Sequence, residues 1–272
     1  MASGRSDARE PFARSEGRSV FGTTAAIYGA ARPGYPDRVY DILRDRCHLG
    51  PTSRILEIGA GPGLATKRLL DAGAHVVAVE PSPALASQLS ALPGAARRLD
   101  VVVSTFEDAD LVPSSFDLVV AATAYHWLDP EQALPKIAVI LRPGGWLALW
   151  WNAFGDPDKP DPFHDATEPL LRDLEPSPGT GAGGSDVALD VAARRGELET
   201  HGFQDVEHEA MRWTLRLDAA QTRRLYATYS NIARLPDAQR EMILAGIERI
   251  ADAEFDGRVE RQMVTSVYIA HR

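Results

Sequence analysis

Short apolar runs alternate with amphipathic stretches through the middle of the chain. Residues 54–58, 75–79, 99–103, 116–121 and 146–151 are runs of the kind that form strands buried on both faces. Between them, residues 64–70, 83–92 and 130–141 carry apolar positions at helical spacing. Strand and helix in alternation predict a parallel sheet, and right-handed crossovers place its helices on both faces. Ahead of this core a helical pattern starts at Phe21, breaks at Arg32-Pro33-Gly34-Tyr35-Pro36, and resumes with Val39, Ile42, Leu43 and Cys47 on one face. Pro36 suits a first helical turn.

The rhythm changes after Trp151. Residues 152–162 and 176–185 are rich in Gly, Pro and Asp, with a short helix expected over 163–174 between them. A strand over 206–217, helices over 219–233 and 237–251, and a strand over 259–270 complete the pattern and predict an antiparallel edge. The expected division is a disordered tail at 1–19, a ligand-binding core with lid helices at 20–152, a cap insertion with a mobile loop at 153–200, and strands and helices completing the sheet and pocket at 201–272.

Composition narrows the function classes. The 44% hydrophobic and 25% charged content is that of an ordinary globular chain. A formal charge of -9 offers no general attraction to phosphate backbones, so no nucleic-acid partner is expected. The single cysteine, Cys47, allows no internal disulfide and reads as a core-facing helix residue, and no Cys/His spacing suggests a metal site. No apolar run reaches the ~20 residues of a membrane span, so the expectation is a cytoplasmic protein without a membrane partner.

The densest chemical signal is Glu57-Ile58-Gly59-Ala60-Gly61-Pro62-Gly63, which follows a strand and opens a helix. Glycines there permit a tight turn and close approach of backbone to a ligand, although a sharp strand-to-helix turn needs glycine for structural reasons too. Glu80 ends the next strand, where a carboxylate can accept both hydroxyls of a ribose. That carboxylate does not distinguish a nicotinamide dinucleotide from S-adenosylmethionine. The spacing is G-x-G-x-G rather than the dinucleotide pattern G-x-G-x-x-G, which makes a nicotinamide-dependent oxidoreductase the second reading.

Taken in order, Tyr28 with Arg32-Pro33-Gly34-Tyr35-Pro36, the glycine loop, Glu80, Phe116-Asp117-Leu118-Val119, His126-Trp127 and Leu141-Arg142-Pro143-Gly144-Gly145 resemble the class I S-adenosylmethionine-dependent methyltransferases, especially the branch that includes trans-aconitate methyltransferases. The resemblance covers roughly residues 21–152. It implies a doubly wound, mostly parallel seven-stranded α/β sheet of the Rossmann-like methyltransferase fold, with an antiparallel C-terminal edge and a helical cap. It also implies S-adenosylmethionine as cofactor and S-adenosylhomocysteine as product.

By that resemblance Gly59, Ala60, Gly61 and Gly63 pack against the amino-acid end of the cofactor, Glu57 organises the loop, and Glu80 with Pro81 and Ser82 holds the ribose. Thr105, Phe106 and Glu107 lie beside the adenine, with Phe106 packing on the ring. Tyr28 and Arg32 close over the methionine end, and Ala121 and Ala122 line the floor. Tyr35, Tyr125, Trp127 and Trp151 are expected on the substrate side. His126 is the group there able to take a proton near neutral pH, so it is the candidate general base, with a positioning role as the alternative. The expected activity is in-line methyl transfer to a small-molecule acceptor such as a carboxylate or hydroxyl, by a monomer or homodimer that needs no metal. A cofactor-binding relative without methyl transfer is a further alternative.

Overall fold

In the computed structural model the described residues are 11–14, 25, 27–180 and 186–272. Most of the expected tail, and the part of the expected mobile loop at 181–185, lie outside them. The exception in the tail is Phe12, which is buried against Trp127 at a ring separation of 6.4 Å. At that position the expectation of a chain end detached from the core does not hold.

Seven strands form one sheet in the order β3-β2-β1-β4-β5-β7-β6. They are β1 (Arg54–Ile58), β2 (His75–Val79), β3 (Leu99–Val102), β4 (Phe116–Ala122), β5 (Leu141–Phe154), β6 (Gln204–Asp218) and β7 (Arg258–His271). The first five run parallel, and β7 pairs antiparallel with both β5 and β6. Four successive residues of β1 and of β2 are buried, because helices cover both faces. One face packs on α1 (Asp37–Cys47) and α2 (Leu64–Asp71), with Leu43, Cys47, Leu69 and Trp150 in its core. On that same face α3 (Pro83–Leu89) adds Leu89 to the core and leads through α4 (Ala95–Arg98) to β3, while on the other face α5 (Pro130–Ile140) buries Leu134 and Ile137 with Leu149 and Trp151. Among the described residues no helix is long and apolar enough to cross a membrane.

Residues 153–200, expected as one cap, divide between two places. Helix α6 (Pro162–Leu171) buries Phe163 in a small separate core with α8 (Ala219–Tyr226), α9 (Ser230–Ala233) and α10 (Asp237–Phe255). Arg261 ties this cap to the sheet, its Nε donating to Asp161 at 2.7 Å and its Nη1 to the Tyr226 hydroxyl at 2.7 Å. Helix α7 (Val191–Thr200) instead covers the sheet, with Ala188 and Leu198 in the main core. The single helix expected over 219–233 is broken between α8 and α9, where the Thr228 carbonyl accepts from Arg32 Nη2 at 3.1 Å rather than continuing a helical ladder.

Candidate active site

The order β2-β1-β4 reverses direction at β1, and the carboxyl ends of β1 and β4 frame the crevice where open α/β sheets bind ligands. The glycine turn builds one wall. Gly59, Gly61 and Gly63 all have positive φ (65°, 58° and 94°). A side chain at Gly59 would bring its Cβ within 2.7 Å of the Ala124 Cβ, so the β1 and β4 turns touch only because this residue has none. At Gly61 the same position opens on space with nothing within 4 Å. The crest of the turn therefore faces the cleft.

Two carboxylates hold the turn. Glu80 is 4% exposed and accepts from the Gly61 N–H at 2.8 Å and the Ser82 N–H at 2.9 Å. Burial raises its pKa, and the two backbone donors pull it back. Glu57, 1% exposed, accepts from the Thr66 hydroxyl at 2.6 Å and so links the end of β1 to the first turn of α2. Burial pushes its carboxyl up to about 8; the Thr66 bond opposes that rise and the charge of Glu80 adds to it.

A cleft with an empty space of about 1020 Å³, counted out to its open mouth, runs across these strand ends. Glu57, Gly59, Ala60, Gly61, Glu80 and Pro81 line one end, with Thr105 and Phe106 beside them. Lys136 secures the segment carrying Phe106 by donating to the carbonyls of Phe106, Glu107 and Ala109 at 2.7 to 2.9 Å. Tyr28, Arg32, Tyr35, Ala122 and Trp127 line the other end. Arg32 is fixed there. Its Nε donates to the Thr228 hydroxyl at 2.8 Å, and its guanidinium carbon lies 4.9 to 5.5 Å from the ring centres of Tyr28, Phe154 and Tyr229.

Seven expected residues do not line the cleft. Gly63 precedes α2 and packs under Leu89 and Leu92, and Ser82 caps α3. Ala121 is fully buried in the sheet. Glu107 meets Lys136 through its carbonyl. Tyr125 turns inward to donate to Glu197 at 2.8 Å, and Trp151 faces the core on the side opposite Trp150. His126 is the main correction. Its Nδ1 accepts from the Trp151 Nε1–H at 3.1 Å, and burial lowers its pKa to about 3, with the charges of Arg32 and Arg14 adding to the fall. A ring whose Nδ1 lone pair is taken carries its proton on Nε2, so no nitrogen is left to accept another, and the base role does not fit. Sequence reasoning missed Thr123, Asn152 and Phe154, all in the lining. Asn152 was the one with a signal: a polar residue ending an apolar strand.

Among the described residues no group of three or more His, Cys, Asp or Glu side chains is placed to hold a metal ion. The family model described as a methyltransferase domain matches residues 56–149, the segment from β1 to β5 that carries the glycine turn and Glu80. An uncharacterized methyltransferase of Mycobacterium tuberculosis is 39% identical over 132 residues, which is 48% of this chain and 51% of that protein, so the match spans about half the relative's length. An uncharacterized methyltransferase of Geobacillus kaustophilus is 31% identical over 210 residues, covering 72% of this chain and 87% of its own. Among solved structures, phosphoethanolamine N-methyltransferase 2 of Haemonchus contortus, bound to phosphomonomethylethanolamine and S-adenosylhomocysteine, matches the fold with a TM-score of 0.56 at 16% identity, covering 92% of this chain and 57% of that one.

Proposed function

The chain belongs to the class I S-adenosylmethionine-dependent methyltransferases, and from that membership we propose that it transfers the methyl group of S-adenosylmethionine to a small-molecule acceptor. The observation that carries the reading is the Glu80 carboxylate, just past the end of β2, the strand beside β1, and in the wall of the cleft. A carboxylate has about four acceptor positions. Backbone donors from Gly61 and Ser82 use two of them, which leaves two for the adjacent hydroxyls of a ribose.

The remaining residues fit the rest of the cofactor. Phe106, Pro81 and Leu128 offer an apolar slot for a flat base, and the bare crest at Gly61 lets a ligand approach the backbone. Arg32, held rigid by Thr228 and three rings, presents a cation to the methionine carboxylate. Gly63 and Ser82 act by fixing the starts of α2 and α3, and Tyr125, Trp151 and His126 by supporting the β4 turn from behind.

When bound, S-adenosylmethionine supplies an electrophilic methyl carbon on a positively charged sulfur. The protein's part is to align the acceptor with that carbon and to exclude water, and alignment of this kind lowers a barrier by ~7 to 11 kcal/mol. Ala122, Asn152 and Phe154, at the ends of β4 and β5, form the acceptor side together with Tyr35 and Trp127. A cleft walled on so many sides admits a small molecule more readily than a chain segment or a duplex.

Calorimetry with S-adenosylhomocysteine and NADH, followed by a screen of acids, phenols and amines for labelled methyl, tests this reading. Binding of the nucleoside together with label in a small product supports it. Binding of NADH alone would end it, and good nucleoside affinity with no methyl transfer to any class of acceptor would favour a relative that has lost the reaction.

A further inference from the structure

Thr123 follows the last residue of β4 and lines the cleft, yet its φ is +53°. The left-handed region is strained for a β-branched residue, and such strain persists where its surroundings enforce it. Here the Thr123 N–H donates to the Trp150 carbonyl at 2.7 Å, continuing the β4 to β5 pairing, while the next residue must pass Gly59 at van der Waals contact. A glycine would make this turn without strain. The turn alone does not call for the side chain that occupies it.

Among the described residues that side chain has one hydrogen-bond partner, the hydroxyl of Tyr35 at 3.0 Å. Tyr35 is itself held rigidly. Pro33 and Pro36 flank it, Asn152 Nδ2 donates to the Gly34 carbonyl at 3.1 Å, and the Tyr35 ring stands edge-on to Trp150 at 5.8 Å. Burial raises the Tyr35 phenol well above its ordinary value, so it stays protonated. Two neutral hydroxyls that share one hydrogen bond retain one unused O–H and several acceptor positions.

We propose that the Thr123 hydroxyl, held by Tyr35, is the group that contacts and orients the nucleophilic atom of the acceptor at the tip of β4. Thr123 touches the acceptor, and Tyr35 is a positioning residue acting through it. The pair takes no proton: the acceptor's lone pair forms the bond to the methyl carbon as the carbon–sulfur bond breaks onto sulfur, a carboxylate acceptor has no proton to lose, and a hydroxyl or amine releases its proton to solvent. It suits an acceptor whose reacting atom exchanges hydrogen bonds, a carboxylate or hydroxyl oxygen or an amine, and not an apolar carbon. This inference rests on the methyl-transfer reading.

The test separates the hydroxyl from the backbone. Thr123→Ala removes the hydroxyl and keeps a Cβ in the left-handed region, Thr123→Gly removes the hydroxyl and the Cβ, Thr123→Ser keeps the hydroxyl, and Tyr35→Phe removes its partner. Turnover is followed with labelled S-adenosylmethionine and whichever of benzoate, 4-hydroxybenzoate, cinnamate or benzylamine the unmodified protein methylates fastest. The alanine and glycine variants are expected to lose about tenfold or more in kcat/KM, the serine variant less than about threefold, and Tyr35→Phe an intermediate amount, all with unchanged affinity for S-adenosylhomocysteine. The glycine variant is expected to melt above the alanine variant. Wild-type kcat/KM in either of those two, losses that track the melting temperature, or a glycine variant that melts below alanine would each overturn the proposal. A wild-type protein that does not bind S-adenosylhomocysteine would instead sink the methyl-transfer reading itself.

Discussion

The indole N–H of Trp151 donates to Nδ1 of His126 at 3.1 Å, and this bond decides what His126 can do. It fixes the neutral tautomer, and burial holds the ring pKa down to about 3. Glutamine can accept the same indole N–H through its side-chain oxygen. His126→Gln is therefore expected to leave the shape of the kcat profile unchanged between about pH 6 and 9. It should also change stability in acid. A histidine whose folded pKa is depressed contributes stability that is complete above its unfolded value and is lost as pH falls from there toward 3, at up to about 1.4 kcal/mol per pH unit. The variant lacks this dependence, so its melting temperature should fall less between about pH 6.5 and 4 than that of the unmodified protein.

Removal of the Glu80 carboxylate tests the ribose site. Glu80→Ala takes away the proposed acceptor for two ribose hydroxyls and leaves the Gly61 and Ser82 N–H groups without their partner. Hydrogen bonds to charged groups contribute about 1.5 to 3 kcal/mol, so S-adenosylhomocysteine affinity measured by calorimetry should fall roughly 10- to 100-fold. An unchanged affinity would place the ribose elsewhere.

Glu57 gives a stability prediction of opposite sign. Its folded pKa is raised to about 8, so the folded protein retains a proton that the unfolded chain gives up near the ordinary carboxylate value. The stability associated with this group is full at low pH and declines as pH rises toward 8. Glu57→Gln removes the charged form and keeps an oxygen for the Thr66 hydroxyl. Thermal melts of the ligand-free proteins should show the variant gaining on the unmodified chain from about pH 5 upward and exceeding it at about pH 9.

Much of this was legible in the sequence because the relevant signals are local. The ends of β1 and β2 fall where short, mainly apolar runs meet turn residues, and both strands are observed over 54–58 and 75–79 as the pattern predicts. The glycine turn and Glu80 were legible for the same reason. Helix α7 was not, since Leu198 is its one buried residue and Gly196 lies inside it; only Asp190, capping Ala193, marks its start. The proposed acceptor wall was hidden by sheet register. Trp150 and Trp151 are equally apolar, yet alternation along β5 turns the first toward Tyr35 and the second toward His126. Arg32 depends on Thr228, nearly two hundred positions away, and no local pattern predicts that meeting.

Gly59 and Gly61 should respond differently to one added methyl group. Both have positive φ, so an alanine at either carries a backbone penalty of roughly 1 kcal/mol. At Gly59 the new Cβ would also stand 2.7 Å from the Ala124 Cβ, closer than two carbons pack, and the β1 and β4 turns would have to separate. Overpacking of this kind costs about 1 to 3 kcal/mol more, so Gly59→Ala should lower the melting temperature of the ligand-free protein by several degrees. At Gly61 the Cβ meets nothing within 4 Å and points into the cleft. Gly61→Ala should therefore melt closer to the unmodified protein and lose S-adenosylhomocysteine affinity, because the methyl occupies space the ligand needs. Equal melting temperatures for the two variants, or full affinity in Gly61→Ala, would show that the crest of the turn does not face the bound nucleoside.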